Sequence, residues 1–176
     1  MINSCINYLY SIEFTQTFKI KQKMKKVLIA LDYGVSAQDI AEKGYELAKG
    51  LNAKITLLHV VADESYYNNI DSGPFMFFYG TNFFNMIDSD NLIDASLGFL
   101  ERIKSNLKDS EIEIEAIQGD FSNIILETAN NHRFDVIVMG LNSRNWIDRA
   151  IMGSVTESVL KESIIPLFII PIKEHK

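Results

Sequence analysis

The segment KKVLIALDYGVSAQDIAEKGYELAKGLNAKITLLHVV, residues 25–61, decides the fold class. Two short aliphatic runs, residues 27–31 and 53–61, are typical of strands buried on both faces of a sheet. Between them, apolar residues recur at helical spacing, namely Ile40, Ala41, Gly44, Leu47, Ala48 and Leu51. A strand, a helix and a strand in this order predict a right-handed βαβ unit with two parallel strands.

The two ends of this first helix carry recognisable signals. Ser36 is followed three residues later by Asp39, which resembles a capping box with Asp in place of the usual Glu. Gly50 follows most of the apolar positions, and glycine favours the left-handed conformation that ends many helices. We therefore expect the helix to begin after Ser36 and to end at Gly50.

The same alternation continues along the chain. Apolar spacing predicts further helices near residues 93–107, 122–131 and 154–163, and strands at 111–119, 135–140 and 165–172. Glu113 and Glu115 indicate that one face of the third strand is exposed to solvent, which favours a position at the edge of the sheet. The sequence thus predicts an α/β fold, a three-layer doubly wound five-stranded parallel sheet with strand order 3-2-1-4-5.

Composition narrows the class of partner and the compartment. The net charge is −6, and because residues 1–23 carry +2, residues 24–176 carry −8. Such an acidic domain is a poor match for nucleic acid or an anionic membrane surface. The single cysteine, Cys5, excludes an intramolecular disulfide and suits a reducing cytoplasm. No apolar run approaches the roughly 18 residues that span a bilayer.

Two segments do not fit the alternating plan. Residues 1–23 precede a natural start at Met24, so we expect an N-terminal extension followed by a single domain, residues 24–176. The extension alternates apolar and polar residues, which leaves open a disordered tail or an extra strand. Residues 62–88 contain eight aromatic residues, Tyr66, Tyr67, Phe75, Phe77, Phe78, Tyr79, Phe83 and Phe84. They either cover the domain's own core or form a lid or a protein-partner surface.

Strand order also predicts where a ligand binds. In an open parallel sheet this is the crevice beyond the carboxyl ends of the strands, here between the first and the fourth. Asp32 follows the first strand and Gly140 ends the fourth. Asp32 either contacts a ligand there or caps the region of the first helix. Ser154 to Glu157 resembles a capping box, so Gly153 and Ser154 lie at a helix N-terminus, which attracts anions.

These residues resemble a known signature. Gly140, two residues, Ser143, nine residues and Gly153-Ser154 match the spacing of the nucleotide-binding signature of the universal stress protein family, with serine replacing its second glycine. Further stretches of the chain are similar to that family, namely VLIALD (27–32), LLHV (57–60), QGD (118–120), DVIVMG (135–140) and GSVTESVL (153–160). The resemblance covers Lys25 to about Ile172.

The resemblance implies an adenine nucleotide alpha hydrolase-like domain that binds ATP, with or without Mg²⁺, and forms a homodimer through its C-terminal strand. By position, Asp32 and the backbone near Val60 would contact adenine. Met139 and Gly140 would line the path of the ribose and phosphates. The phosphates would be held by Ser143, Gly153, Ser154, Val155 and Thr156.

Ser143 is the one departure from the signature, and family members that lack the glycines are thought not to bind ATP. If this position needs a positive φ, serine costs roughly 1 kcal/mol or more. If it needs only a donor, the hydroxyl suffices. Arg144 and Arg149 are either solvated or reach a terminal phosphate as bidentate donors. His59, in an apolar strand, is predicted to be a packed core histidine.

Three functions remain open at this point. The first is an ATP-binding regulatory module of the stress response, which we favour. The second is a dimeric scaffold of the same fold that binds no nucleotide. The third is a slow ATP-hydrolysing enzyme, for which the sequence shows no positioned general base.

Overall fold

The structure is a computed structural model that describes residues 24–62, 89–142 and 154–172. Strands and helices alternate in these ranges: β1 (Lys26–Leu31), α1 (Ala37–Leu51), β2 (Lys54–Val61), α2 (Ser89–Leu107), β3 (Glu113–Gln118), α3 (Phe121–Asn131), β4 (Val136–Asn142), α4 (Ser154–Glu162) and β5 (Leu167–Ile172). The predictions for the N-terminal extension, for the aromatic loop beyond residue 62 and for residues 143–153 lie outside the described residues. No helix in the described ranges is long and apolar enough to cross a membrane.

The strands form one parallel sheet in the order β3-β2-β1-β4-β5. This confirms the predicted order and places β3 at an edge. The central strand β1 pairs with β2 as far as Leu31, which lies beside His59, and pairs with β4 on its other side. Strand order therefore reverses between β1 and β4.

Helices cover both faces of the sheet, as a doubly wound fold requires. Successive side chains of a strand point to opposite faces. Ile29 and Leu57 are therefore buried in a cluster with residues of α1 and α2, while Leu28 and Leu58 are buried in a cluster with residues of α3 and α4. Each face of the sheet thus has its own hydrophobic core, and the predicted three-layer arrangement is confirmed.

Helix α1 begins after Ser36 as predicted, but its predicted capping box and its predicted end at Gly50 are wrong. Ser36 is the N-cap residue, but its side chain makes no capping hydrogen bond, so the predicted capping box does not form. Gly50 lies inside the helix, and Asn52 adopts the left-handed conformation with φ 51°. The helix continues past Gly50 because Leu51 packs against the core cluster of this face. Asparagine tolerates the left-handed region better than most residues, so it can replace glycine as the terminator.

The amino ends of β1 and β4 are joined by a carboxylate. Asp135 Oδ2 accepts hydrogen bonds from the backbone N–H groups of Lys25 at 2.7 Å and Lys26 at 3.0 Å. The Lys26 ammonium also donates to the carbonyl oxygen of His132 at 3.0 Å. These bonds, which we call the Asp135 clamp, fix the register of β1 against β4 at the end of the sheet remote from the switch point.

Candidate functional site

A cavity of about 530 Å³ lies at the carboxyl edge of the sheet, where strand order reverses. Its volume falls within the roughly 300–1,000 Å³ that is usual for small-molecule sites. The cavity brings together seven of the predicted site residues, namely Asp32, Val60, Met139, Gly140, Ser154, Val155 and Thr156. The other two, Ser143 and Gly153, lie outside the described residues.

Asp32 is held at the rim of the cavity by a tight turn. Its Oδ1 accepts a hydrogen bond from the backbone N–H of Gly34 at 3.0 Å, the pattern of an Asx-turn. A Cβ atom on residue 34 would lie only 2.8 Å from this oxygen, which explains the glycine. The carboxylate therefore bonds to the turn and not to a helix N–H, and within the part of the chain that the structure describes its second oxygen, Oδ2, can accept from another donor.

The N-terminus of α4 forms the opposite part of the wall. The helix begins at Ser154, which is exposed, and the backbone N–H groups of a first helical turn have no partner within their own helix. Thr156 is buried, and its hydroxyl donates to the carbonyl oxygen of Gly140 at 3.3 Å. This bond ties the start of α4 to β4, so the Thr156 proton is directed at the sheet.

Gly140 lies inside β4 and does not end it. The strand continues to Asn142, which pairs with Ile172 of β5, so the predicted strand end is wrong. A Cβ atom on residue 140 would collide with the Cδ1 atom of Ile40 and lie 2.8 Å from that of Ile172. Packing beneath the cavity is therefore a sufficient reason for this glycine.

His59 lies in the wall on the α2 side of β2. The residue is 5% exposed, which confirms the predicted core histidine, although it also lines the cavity. Its Nδ1 lies 3.1 Å from the Ser96 hydroxyl. Burial lowers the pKa of His59 to about 4, against a smaller opposing effect of the Asp32 carboxylate. The imidazole is therefore neutral near neutral pH.

Several wall residues were not found from the sequence. Gly34, Val35 and Ser36 line the cavity between β1 and α1, and Phe121 and Ile125 line it from α3. Their common signal is position, since each follows the carboxyl end of a strand or belongs to the start of the next helix. Tyr33, between Asp32 and Gly34, likewise carries no signal in the sequence that indicates a role at this site.

Charge is sparse around the cavity. Among the described residues that line it, Asp32 is the only one with a charged side chain near neutral pH, and no lysine or arginine is present. No cluster of three or more metal-ligating side chains occurs in the described ranges. The described walls thus offer apolar surface, one carboxylate and a helix N-terminus, which suits a ligand with an apolar ring, a hydrogen-bond donor and an anionic group.

The model of the universal stress protein family matches residues 23–171. The chain belongs to the universal stress protein family. This membership confirms the resemblance inferred from the signature stretches.

Individual relatives are distant but cover most of the chain. Universal stress protein MJ0531 of Methanocaldococcus jannaschii is 27% identical over 83% of this chain and 81% of its own length. The solved structure of protein MJ0577 superposes with a TM-score of 0.62 at 22% identity, over 87% of this chain and 99% of its own. A universal stress protein in complex with cAMP has a TM-score of 0.57 at 14% identity, over 85% and 98% of the two chains. At sequence identities of 22% and 14%, the similarity to these two solved structures establishes the fold alone.

Proposed function

We propose that the protein binds an adenine nucleotide, with ATP as the ligand, and acts as a regulatory module of the stress response in the cytoplasm. One observation carries the proposal: a single cavity at the switch point combines the Asp32 carboxylate with the N-terminus of α4. Membership of the universal stress protein family and the complex of a relative with cAMP support it.

The base would lie between β1 and β2. Gly119 N–H donates to the carbonyl oxygen of Val61 at 2.9 Å, so that carbonyl points toward β3. Successive carbonyls of a strand point to opposite sides, and the Val60 carbonyl therefore points toward the space beyond the end of β1. This carbonyl and Asp32 Oδ2 are two acceptors suited to the exocyclic amine of adenine, while Val60 and Met139 provide apolar surface for the ring.

The phosphates would lie at the N-terminus of α4. Free N–H groups and the positive end of the helix dipole favour an anion there, and Ser154 adds a hydroxyl. The described walls supply no cation, so further neutralisation would come from Mg²⁺ bound to the phosphates or from Arg144 and Arg149. Ser143 and Gly153 complete the phosphate-binding residues that we propose from the family signature.

Calorimetry with ATP and Mg²⁺ tests the proposal. We expect saturable binding by the wild type and loss of binding in Gly153→Val, because a branched side chain would block close approach of a phosphate. Gly98→Val is the matched control, since a Cβ atom on Gly98 of α2 meets open space. Mass spectrometry of ligand released from the purified protein should detect an adenine nucleotide. Absence of binding by the wild type would refute the proposal.

A scaffold that binds no nucleotide is the second candidate, and the serine at position 143 favours it. Ser143→Gly restores the family signature. It should tighten ATP binding if the rest of the site is intact and the serine alone weakens binding. If neither the wild type nor this variant binds ATP, the scaffold is the better description. Phosphate release measured on the same samples decides whether slow hydrolysis accompanies binding.

We also propose a homodimer through β5. The strand lies at the edge of the described sheet, and Phe168 on it is 40% exposed, with Ile164 just before it 88% exposed. An exposed apolar edge strand readily pairs with another chain. In sedimentation experiments, Phe168→Asp should shift the protein toward monomer, whereas Leu160→Asp on the 47% exposed position of α4 should not. A wild type that is monomeric at all concentrations would contradict the proposal.

A further inference from the structure

Ser96 joins three parts of the molecule through one buried hydroxyl. The residue lies on α2 and is 0% exposed. Its Oγ is 2.7 Å from the carbonyl oxygen of Leu92, 2.8 Å from the hydroxyl of Tyr33 and 3.1 Å from Nδ1 of His59. The loop after β1, the carboxyl end of β2 and the first half of α2 therefore meet at this atom.

The hydrogen-bonding capacity of Ser96 fixes the direction of each bond. A hydroxyl has one proton and two lone pairs, and a carbonyl oxygen can only accept. The Ser96 proton is donated to Leu92, so the hydroxyl of Tyr33 and the Nδ1–H of His59 must both donate to Ser96. Ser96 is then saturated, and neutral His59 is held in the Nδ1–H tautomer.

The ring of Tyr33 is also fixed by packing. Its centroid lies 4.2 Å from that of His59 and 4.8 Å from that of Phe99, and these two rings lie 5.8 Å apart. Tyr33 is thus held by its hydroxyl and by two rings. Since it stands between Asp32 and Gly34, the residues of the Asx-turn, holding Tyr33 limits the orientations open to the Asp32 carboxylate.

We propose that Tyr33 is a positioning residue which, with Ser96 and His59, aims the Asp32 carboxylate and thereby sets the selectivity of the cavity for a ligand with an exocyclic amino group. The inference rests on the proposed nucleotide binding for its ligand, but the arrangement of the loop is independent of it. A group that binds a ligand must be held within about 0.5 Å of its proper position. If the Asp32 carboxylate becomes more mobile, the cavity should therefore lose its selectivity for the amino group while it keeps its shape.

Tyr33→Phe is the test variant, because it removes the bond to Ser96 and keeps the ring. Calorimetry compares ATP with purine riboside triphosphate, which lacks only the amino group. We expect Tyr33→Phe to weaken ATP about two- to tenfold, as loss of one hydrogen bond predicts, and to leave the analogue unchanged. In an Asp32→Asn background the same change should have no further effect on ATP. Equal weakening of both ligands would mean a merely structural role and overturn the proposal.

Tyr45→Phe is the matched control, since Tyr45 is a partly buried tyrosine of α1 in the core cluster of the same face, outside the cavity wall. It should change neither affinity.

Hydrogen exchange of the Gly34 amide in the ligand-free protein gives an independent readout. Tyr33→Phe should accelerate exchange several-fold as the bond to Asp32 loosens, and Tyr45→Phe should not. Unchanged exchange at Gly34 overturns the positioning role even if the wild type binds ATP. Accelerated exchange in a protein that binds neither ligand supports the positioning of the loop, and it refutes the proposed function together with the selectivity.

Discussion

Replacing Asp32 by asparagine should invert the hydrogen-bonding character of the cavity rim. Gly34 N–H donates to Oδ1, and in the Asp32→Asn variant only the amide oxygen of the new side chain can accept that bond. The amide nitrogen must then occupy the place of Oδ2. A group of the same shape therefore changes from acceptor to donor at the atom that would face the ligand.

The size of the effect follows from the bond that is lost. A hydrogen bond with one charged partner contributes about 1.5–3 kcal/mol, so ATP affinity should fall roughly ten- to a hundredfold. Inosine triphosphate carries an oxygen acceptor in place of the amine. Its affinity should hold or rise, because the new donor matches it.

Competition calorimetry with the two nucleotides measures the change in their affinity ratio. Asp39→Asn is the control, since Asp39 is an exposed acid in the first turn of α1 and lies outside the cavity wall. It removes the same charge and should leave the ratio unchanged. If Asp32→Asn binds ATP as tightly as the wild type, or if it weakens the binding of both nucleotides alike, Asp32 does not recognise the amine.

Three further predictions concern stability. Because burial lowers the pKa of His59 from 6.5 to about 4, the unfolded chain binds a proton first as the pH falls. The stability from neutral His59 is thus complete above about pH 6.5 and is lost between there and about pH 4, by up to about 3 kcal/mol. In denaturant titrations across this range, the free energy of unfolding should fall less with decreasing pH for His59→Asn, which keeps a donor for the Ser96 hydroxyl, than for the wild type. The control variant His132→Asn should keep the pH dependence that His59 contributes. Parallel curves for the wild type and His59→Asn would contradict this prediction. Gly140→Ala should destabilise the protein by about 1–3 kcal/mol through overcrowding. Adding Ile40→Val, which removes the obstructing Cδ1, should recover part of that cost in the double variant. If the effects of the two substitutions on the free energy of unfolding simply add, the clash is absent. Gly50→Ala should raise the unfolding free energy by about 0.4–1 kcal/mol, because the position is helical and open; a lower stability would indicate a left-handed cap at residue 50.

Patterns that depend on near neighbours in the sequence predicted most of the fold. The aliphatic runs of β1, β2 and β4 indicated strands covered on both faces, and Glu113 with Glu115 marked β3 as an edge. Local signals were less reliable at helix ends. Gly50 has the preferred residue type for a terminator, but packing of Leu51 against the core extends the helix beyond it, which propensity cannot anticipate.

The site was predictable where topology alone decides it. Asp32 follows β1, Gly140 lies near the carboxyl end of β4 and Ser154 begins the helix after β4, and all three line the same cavity. The role of Tyr33 was not predictable, because its hydroxyl bonds to Ser96, 63 residues later in the chain. Likewise, Gly140 matched a signature, yet the atoms that exclude a side chain there belong to α1 and β5. Such contacts exist only once the layers have packed.

The Asp135 clamp has a consequence for how this molecule can change over evolution. It fastens the amino ends of the same two strands, β1 and β4, whose pairing ends at Ala30 and Met139 beside the cavity. The residues that align the two strands and the residues that line the cavity thus lie at opposite ends of the sheet. Substitutions at the rim can alter which small molecule fits while the distant carboxylate keeps the strands aligned, so new binding preferences can arise without a loss of folding fidelity.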